Sequence, residues 1–214
     1  MQNGHWRYDA VKRIFDIGAS GLGLIITAPV QAGVAAVVLA THGRPIFFRQ
    51  ERPGKDGKIF ELVKFRTMLL QDAEHVTDEE RLTPVGRFLR STSLDELPTL
   101  WNVLKGDMSL IGPRPLLVSY LDYYSPEQAR RHEVRPGVSG LAQVRGRNST
   151  SWEERFRLDV EYVDNRSMAL DMKILFQTIR TVMMREGISQ EGHATMPPPP
   201  FEGYVEDVRI GGPE

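Results

Sequence analysis

The sequence predicts an α+β protein of monotopic membrane type: a re-entrant, kinked apolar helix, then a compact cytosolic domain of mostly helices with a small β-hairpin. Three observations predict it. No formally charged residue lies between Asp16 and Arg44, counting His42 as neutral, and that length of helix can cross about 30 Å of hydrocarbon. Residues 45–68, PIFFRQERPGKDGKIFELVKFRTM, hold two apolar runs around a Pro-Gly and Asp-Gly cluster, the pattern of a hairpin with a loop longer than two residues. The rest is punctuated by helix-start signals rather than by further alternating runs.

The apolar segment admits three readings. A cleaved signal peptide suits Lys12 and Arg13 as a basic start and Val38-Leu39-Ala40 as a small-residue exit, but the apolar region exceeds the usual roughly 7–15 residues. A single span and a hairpin that enters and leaves one leaflet remain. Pro29, near the middle, removes the hydrogen bond to Ile25 and its ring clashes with that carbonyl, costing about 3 kcal/mol unless the helix bends. The Thr27 hydroxyl is a candidate to bond a freed carbonyl there. Lys12 and Arg13 precede the segment and Arg44, Arg49 and Arg52 follow it, which asks both ends to stay cytosolic. The re-entrant form satisfies both demands, and a proline-bent span stays open. The expected organisation is therefore residues 1–44 with the membrane helix, a cytosolic domain over 45–187 with interfacial amphipathic helices, and an extended tail over 188–214.

Within the hairpin, Lys64 and Arg66 stand two apart and share a strand face, which on its own reads equally as a solvated face. Residues 69–82 are polar and acidic, a mobile surface segment. Thr83-Pro84 reads as an N-cap with proline at the first helical position, opening a short helix through Arg87 and Arg90. SPEQ (125–128) and SWEE (151–154) are capping boxes, predicting helices over 126–133 and 152–164. Residues 168–187 place apolar residues at helical spacing with Gly187 as a stop, either a core helix or one lying in the lipid interface. The tail, with four prolines at 197–200, is expected to be extended. There is no internal repeat.

Composition narrows the chemistry. A length of 214 residues suits one substantial core. A net charge of −1 gives no general attraction for nucleic acid, so anion binding must come from local clusters. With no cysteine, thiolate nucleophiles, zinc–thiolate sites and disulfides are excluded.

The candidate site is RSTSLDELPTLWNVLKGDMSLIGPRP, residues 90–115. Ser93-Leu94-Asp95-Glu96 matches a capping box, in which Glu96 would merely bond back to the Ser93 amide. With Pro98 supporting a helix start, the acids would sit at the positive end of a helix, where carboxylates stay ionised and phosphate is welcome. An ionised carboxylate can act as a nucleophile. Successive helical residues point about 100° apart, so separate roles suit Asp95 and Glu96 better than a shared proton, one facing a phosphorus and the other a hard cation such as Mg²⁺. Arg90 and Arg114 bracket the pair, Arg114 held between Pro113 and Pro115 and able to grip phosphate bidentately. The glycine-punctuated stretch 135–148 adds Arg145 and Arg147 in a loop able to approach a ligand. No Walker-type loop or Rossmann fingerprint is present.

In their order, KRIFD, the proline-broken apolar segment, KFRTM, RSTSLDELPTLWNVLKGDMSLIGPRP, RPGVSGLAQVRGR, DVEYVDN and EGISQEGHATM resemble the bacterial sugar transferases, or monotopic phosphoglycosyl transferases, from about residue 11 to 196. The chain looks like a small member, with a re-entrant helix and a catalytic domain. The resemblance implies transfer of sugar-1-phosphate from a UDP-sugar to a polyprenyl phosphate such as undecaprenyl phosphate, with release of UMP. It implies a Mg²⁺ requirement, the cytosolic face of the bacterial inner membrane, and a product that downstream glycosyltransferases extend. Asp95 matches the nucleophile that forms a covalent phospho-sugar intermediate, Glu96 its metal-associated neighbour, and Lys64, Arg90 and Arg114 the substrate- or phosphate-binding positions. Ala28 departs from the Ser-Pro pair frequent in relatives, which leaves the kink and moves the hydroxyl to Thr27. The closing segment looks like members acting on N-acetylated amino sugars.

Overall fold

The computed structural model describes residues 5–72, 77–146, 151–184, 199 and 201. Arg147, Gly187, part of the acidic segment and most of the tail lie outside them. The apolar segment is one helix, α1 (Trp6–His42), with Pro29 inside it. Among the described residues it is the one helix long and apolar enough to cross a membrane. Its contour, at 1.5 Å per residue, is about 55 Å.

Two expectations for α1 change. The Thr27 hydroxyl donates to the Gly23 carbonyl at 2.6 Å and accepts from Gln31 Nε2 at 2.9 Å. A helical threonine reaches its own i−4 carbonyl, which lies two residues short of the Ile25 carbonyl that Pro29 leaves unbonded. Nor are Lys12 and Arg13 free flanking charges. Lys12 is buried, its Nζ 2.7 Å from Asp171 and 3.9 Å from Asp16, while Arg13 donates to the Val103 and Leu104 carbonyls at 2.6 and 2.8 Å. Lys12 is thus neutralised inside the protein, and Arg13 is held by backbone carbonyls.

The hairpin forms as read. Strands β1 (Phe47–Pro53) and β2 (Ile59–Phe65) pair antiparallel, Phe47 opposite Phe65 and Pro53 opposite Ile59, around a 3₁₀ turn at Lys55–Gly57. Helix starts also follow their caps. Thr83 Oγ1 accepts from Gly86 N at 2.9 Å to open α3 (Pro84–Ser91). Both halves of the Ser125–Gln128 box are made at α5 (Pro126–Ala129), which continues as a 3₁₀ turn over Arg130–Glu133. Ser151 caps α7 (Trp152–Asn165), although Glu154 turns to Arg157 instead of back to the cap. A further box, Thr77 with Glu80, opens the short helix α2 (Asp78–Arg81) in the segment read as merely acidic surface.

A second sheet was not foreseen: β3 (Ser109–Ile111) runs parallel to β4 (Gly137–Ser139). The glycines of the 135–148 stretch serve this pairing. A Cβ on Gly137 would stand 2.1 Å from the Gly112 nitrogen, and one on Gly112 would stand 2.4 Å from the Arg135 carbonyl. The expected ligand-approaching loop is therefore close backbone packing, followed by helix α6 (Leu141–Gly146).

Two clusters carry the core that matters for the site. Ile111, Leu141, Leu158, Tyr162 and Ile174 join β3, α6, α7 and α8 (Met168–Met184). Val34 and Val38 of α1 pack with Phe65 and Leu89, joining the long apolar helix to β2 and to α3. Helix α8 buries Asp171 and Ile174, as its core reading expects, and leaves Phe176 70% exposed with Ile179 exposed beside it.

Candidate active site

The acids sit on a corner between two helices. After α3 ends, Ser93 adopts φ +56°, a left-handed conformation costing a non-glycine residue roughly 1–2 kcal/mol, of the kind found at functional sites. The chain then makes a 3₁₀ turn, Leu94–Glu96, before α4 (Thr99–Lys105). This geometry cancels the expected capping box. An N-cap needs extended backbone, and Ser93 makes no side-chain cap bond. The acids precede α4 instead of starting it, and the Glu96 carboxylate is released for other partners.

Helix α4 fixes this corner against the hairpin. Asn102 donates to the Glu61 carbonyl at 2.7 Å and accepts from Val63 N at 3.1 Å, and Thr99 donates to the Val63 carbonyl at 3.2 Å. These bonds satisfy the edge of β2 as a third strand would, and they hold Lys64, the next residue, against Glu96. Helix α3 is seated as closely. A Cβ on Gly86 would stand 1.8 Å from the Thr67 carbonyl, so only glycine lets the two backbones meet. One turn later Arg90 Nε donates to Thr67 Oγ1 at 3.0 Å.

Glu96 receives Lys64 Nζ at 2.5 Å and Arg114 at 3.2 Å on the same carboxylate oxygen. Burial would raise its pKa, but these two cations win and hold it down at about 2. Asp95 differs. Among the described residues no donor lies within hydrogen-bond distance of its carboxylate, which is 9% exposed. Burial and the adjacent Glu96 charge raise it to about 6 against the pull of Lys64, Arg90 and Arg114. Lys64 is in turn lowered, first by burial and then by Arg114, with Glu96 opposing. One carboxylate is tied off and ionised, while the other is unengaged, more basic, and still charged at neutral pH.

The structure thus brings together Lys64, Asp95, Glu96 and Arg114, with Arg90 near enough for its charge to act on Asp95. The solvated-face reading of Lys64 and Arg66 fails for both. Lys64 faces Glu96, and buried Arg66 donates to the His42, Gly43 and Arg44 carbonyls at the end of α1. Arg145 does not join the cluster. It lies on α6 with its guanidinium 2.6 Å from Glu161 of α7. Arg147 is outside the described residues.

Sequence reasoning missed the group that holds Arg114. Arg131, buried against Asp159 at 2.7 Å, donates to the Arg114 carbonyl at 2.7 Å, and Arg52 donates to the Pro115 carbonyl at 3.4 Å. Only the two prolines flanking Arg114 hinted at a constrained turn. As for a cation, no three ligating side chains converge among the described residues. Asp95 and Glu96 alone offer oxygens, which fits Mg²⁺, an ion usually held by one or two carboxylates with substrate phosphates completing its shell.

One long apolar helix beside paired acids ringed by cations suits a membrane-associated enzyme for phosphorylated substrates, and sequence comparison names the family. The chain belongs to the bacterial sugar transferase family, whose profile matches residues 7–185. Among its relatives, the uncharacterized sugar transferase EpsL of Bacillus subtilis is 53% identical over 188 residues, covering 86% of this chain and 93% of that protein. The UDP-glucose:undecaprenyl-phosphate glucose-1-phosphate transferase of Caulobacter vibrioides is 40% identical over 188 residues, covering 82% of this chain and 70% of that protein. The undecaprenyl-phosphate galactose phosphotransferase of Salmonella typhimurium is 38% identical over 197 residues, but the match spans only 41% of it. The last two names carry glucose and galactose, and so give no support to the expected N-acetylated sugar.

Proposed function

We propose that this protein transfers a sugar-1-phosphate from a UDP-hexose to undecaprenyl phosphate, releasing UMP, at the inner face of the bacterial cytoplasmic membrane. The observation that carries the reading is the split between the two acids, an unengaged Asp95 beside a Glu96 bound by Lys64 and Arg114. The names of the relatives point the same way.

In this mechanism an Asp95 carboxylate oxygen attacks the sugar-bearing phosphorus of the UDP-sugar. The Asp–phosphorus bond forms as the bond to the UMP oxygen breaks, and UMP leaves. An oxygen of undecaprenyl phosphate then attacks the same phosphorus and expels the Asp95 carboxylate, giving the polyprenyl diphosphate sugar. Lys64 and Arg114 neutralise charge on the diphosphate, and Arg90 adds to the field at Asp95. A Mg²⁺ held by Glu96 and Asp95 would further offset the charge of the diphosphate oxygens.

A re-entrant α1 suits this chemistry, because one substrate is water-soluble and the other stays in lipid. What supports it is that both ends of α1 touch the same domain. Lys12 meets Asp171 near the start, and Val34, Val38 and the His42 carbonyl meet β2, α3 and Arg66 near the end.

Incubating the protein with sugar-labelled UDP-glucose or UDP-galactose and Mg²⁺, without lipid, should release UMP and leave label on Asp95. Wild-type protein without label, together with an Asp95→Asn variant that keeps turnover, would overturn the reading. A donor panel that includes N-acetylated sugars identifies the sugar.

A further inference from the structure

Beside the acid cluster lies a groove that the chemistry above does not use. It encloses about 460 Å³ and is lined by Val30, Gly33, Val34 and Val37 of α1 together with α3 residues and Leu94. This volume is in the range of small-molecule sites. Its inner wall is the buried Val34–Leu89 cluster, and its rim is Val30, Val37 and Phe88, all exposed. An exposed aromatic rim over an apolar floor is costly to leave in water.

Two features identify what fits. Leu94, one of its lining residues, directly precedes the unengaged Asp95 in the chain, so groove and acid share one stretch of backbone. Helix α3 also carries both parts of one recognition surface. Phe88 and Leu89 line the groove, while Arg90, next in sequence, directs its charge toward Asp95. An apolar groove between α1 and α3, beside a corner where Lys64, Arg90 and Arg114 act on Asp95, matches an amphiphile with an anionic head and a hydrocarbon tail.

We propose that this groove binds the phosphate-proximal isoprene units of the polyprenyl acceptor, entering sideways from the bilayer between α1 and α3. The inference rests on the proposed transfer reaction, and adds where the acceptor chain lies. In it, α1 is one wall of the acceptor site as well as an anchor, and the lipid phosphate arrives beside the phosphorylated Asp95.

The test uses the full chain in lipid nanodiscs. Gly33 lines the groove and a Cβ there meets nothing within 4 Å, so Gly33→Phe is the filling variant. The expected result is an acceptor KM raised about tenfold or more, with Asp95 labelling by UDP-sugar in the absence of lipid within about twofold of wild type. An unchanged acceptor KM overturns the groove while leaving the transfer reaction standing, whereas loss of labelling in wild type overturns the transfer reaction itself. Independently, polyprenyl phosphate carrying a diazirine on its first isoprene unit should cross-link to Val85, Phe88 or Leu94. Cross-links confined to Phe176 and Ile179 of α8, equal labelling by a diazirine phospholipid, or cross-links that join two copies of the protein would each sink the proposal.

Discussion

At the scale of single residues, Asp95 and Glu96 are chain neighbours driven in opposite directions, and each direction has a measurable cost. An acid whose pKa is raised from about 3.9 unfolded to about 6 folded is held more tightly in its protonated form by the folded protein. Its contribution to stability is therefore fullest below about pH 4 and is lost as pH climbs through 6, by about 3 kcal/mol at most. Asp95→Asn should accordingly raise Tm at pH 7.5 by at least about 3 °C in detergent while abolishing labelling, and the gain should shrink to about a third at pH 4.5. An equal gain at both pH values would show that charge is not the cause. The labelling rate should fall about tenfold per unit below pH 6, because only the ionised carboxylate attacks. Glu96 has the reverse linkage: its folded value near 2 contributes stability above about pH 4.5 that disappears as pH falls toward 2. Glu96→Gln should destabilise the protein at pH 7.5, because it leaves the largely buried Lys64 ammonium without its counter-charge.

At the scale of elements, what could be read from sequence divides by the range of the interaction. Thr83-Pro84, Ser125–Gln128 and Ser151 are caps decided within one turn of chain, and each opens a helix where expected. The hairpin was legible for the same reason, its two runs flanking their own loop. By contrast, strands β3 and β4 are three residues each, too short to show a period, and meet across a long separation. The site followed this divide. The acid pair announces itself locally, but the bond of Glu96 to Lys64 joins residues 32 apart, and the Arg131–Asp159 support behind Arg114 has no local signature. Ser93 misled because a capping-box pattern says nothing of the left-handed backbone that the corner requires. Gly86 gives the element-scale prediction. In Gly86→Ala the methyl would overlap the Thr67 carbonyl, a backbone atom that cannot step aside. Helix α3 must shift, at about 1–3 kcal/mol, carrying Arg90 away from Thr67. Urea unfolding should show the loss, and the labelling rate should drop with it. A variant with wild-type values for both would mean that α3 does not seat the site.

At the scale of the molecule, α1 is joined to the domain at both ends by polar contacts as well as by packing. Removing one member of the buried Lys12–Asp171 pair should cost about 3–5 kcal/mol, because it strands a charge. The double variant Lys12→Met, Asp171→Leu should recover only part of that, because it also takes the carboxylate from the Tyr8 and Tyr162 hydroxyls that donate to it, and a double-mutant cycle in detergent would register the coupling. Topology is directly accessible because the chain has no cysteine. Arg7→Cys and Arg44→Cys, both at exposed positions, should react with a membrane-impermeant maleimide only from the side on which an exposed domain position such as Glu127→Cys reacts. Labelling of one of them from the opposite side would establish a span.

The strand β2 and the residue just past it carry Lys64 on the acid cluster and Arg66 on the closing carbonyls of α1, two positions apart. The distance from the Asp95 carboxylate to the end of α1 is thus set by one short piece of β-structure, like the fixed jaw of a caliper. Bilayer thickness then becomes a kinetic variable: in nanodiscs of thinner or thicker lipids, turnover of the lipid acceptor should change while the lipid-free half of the cycle keeps its rate.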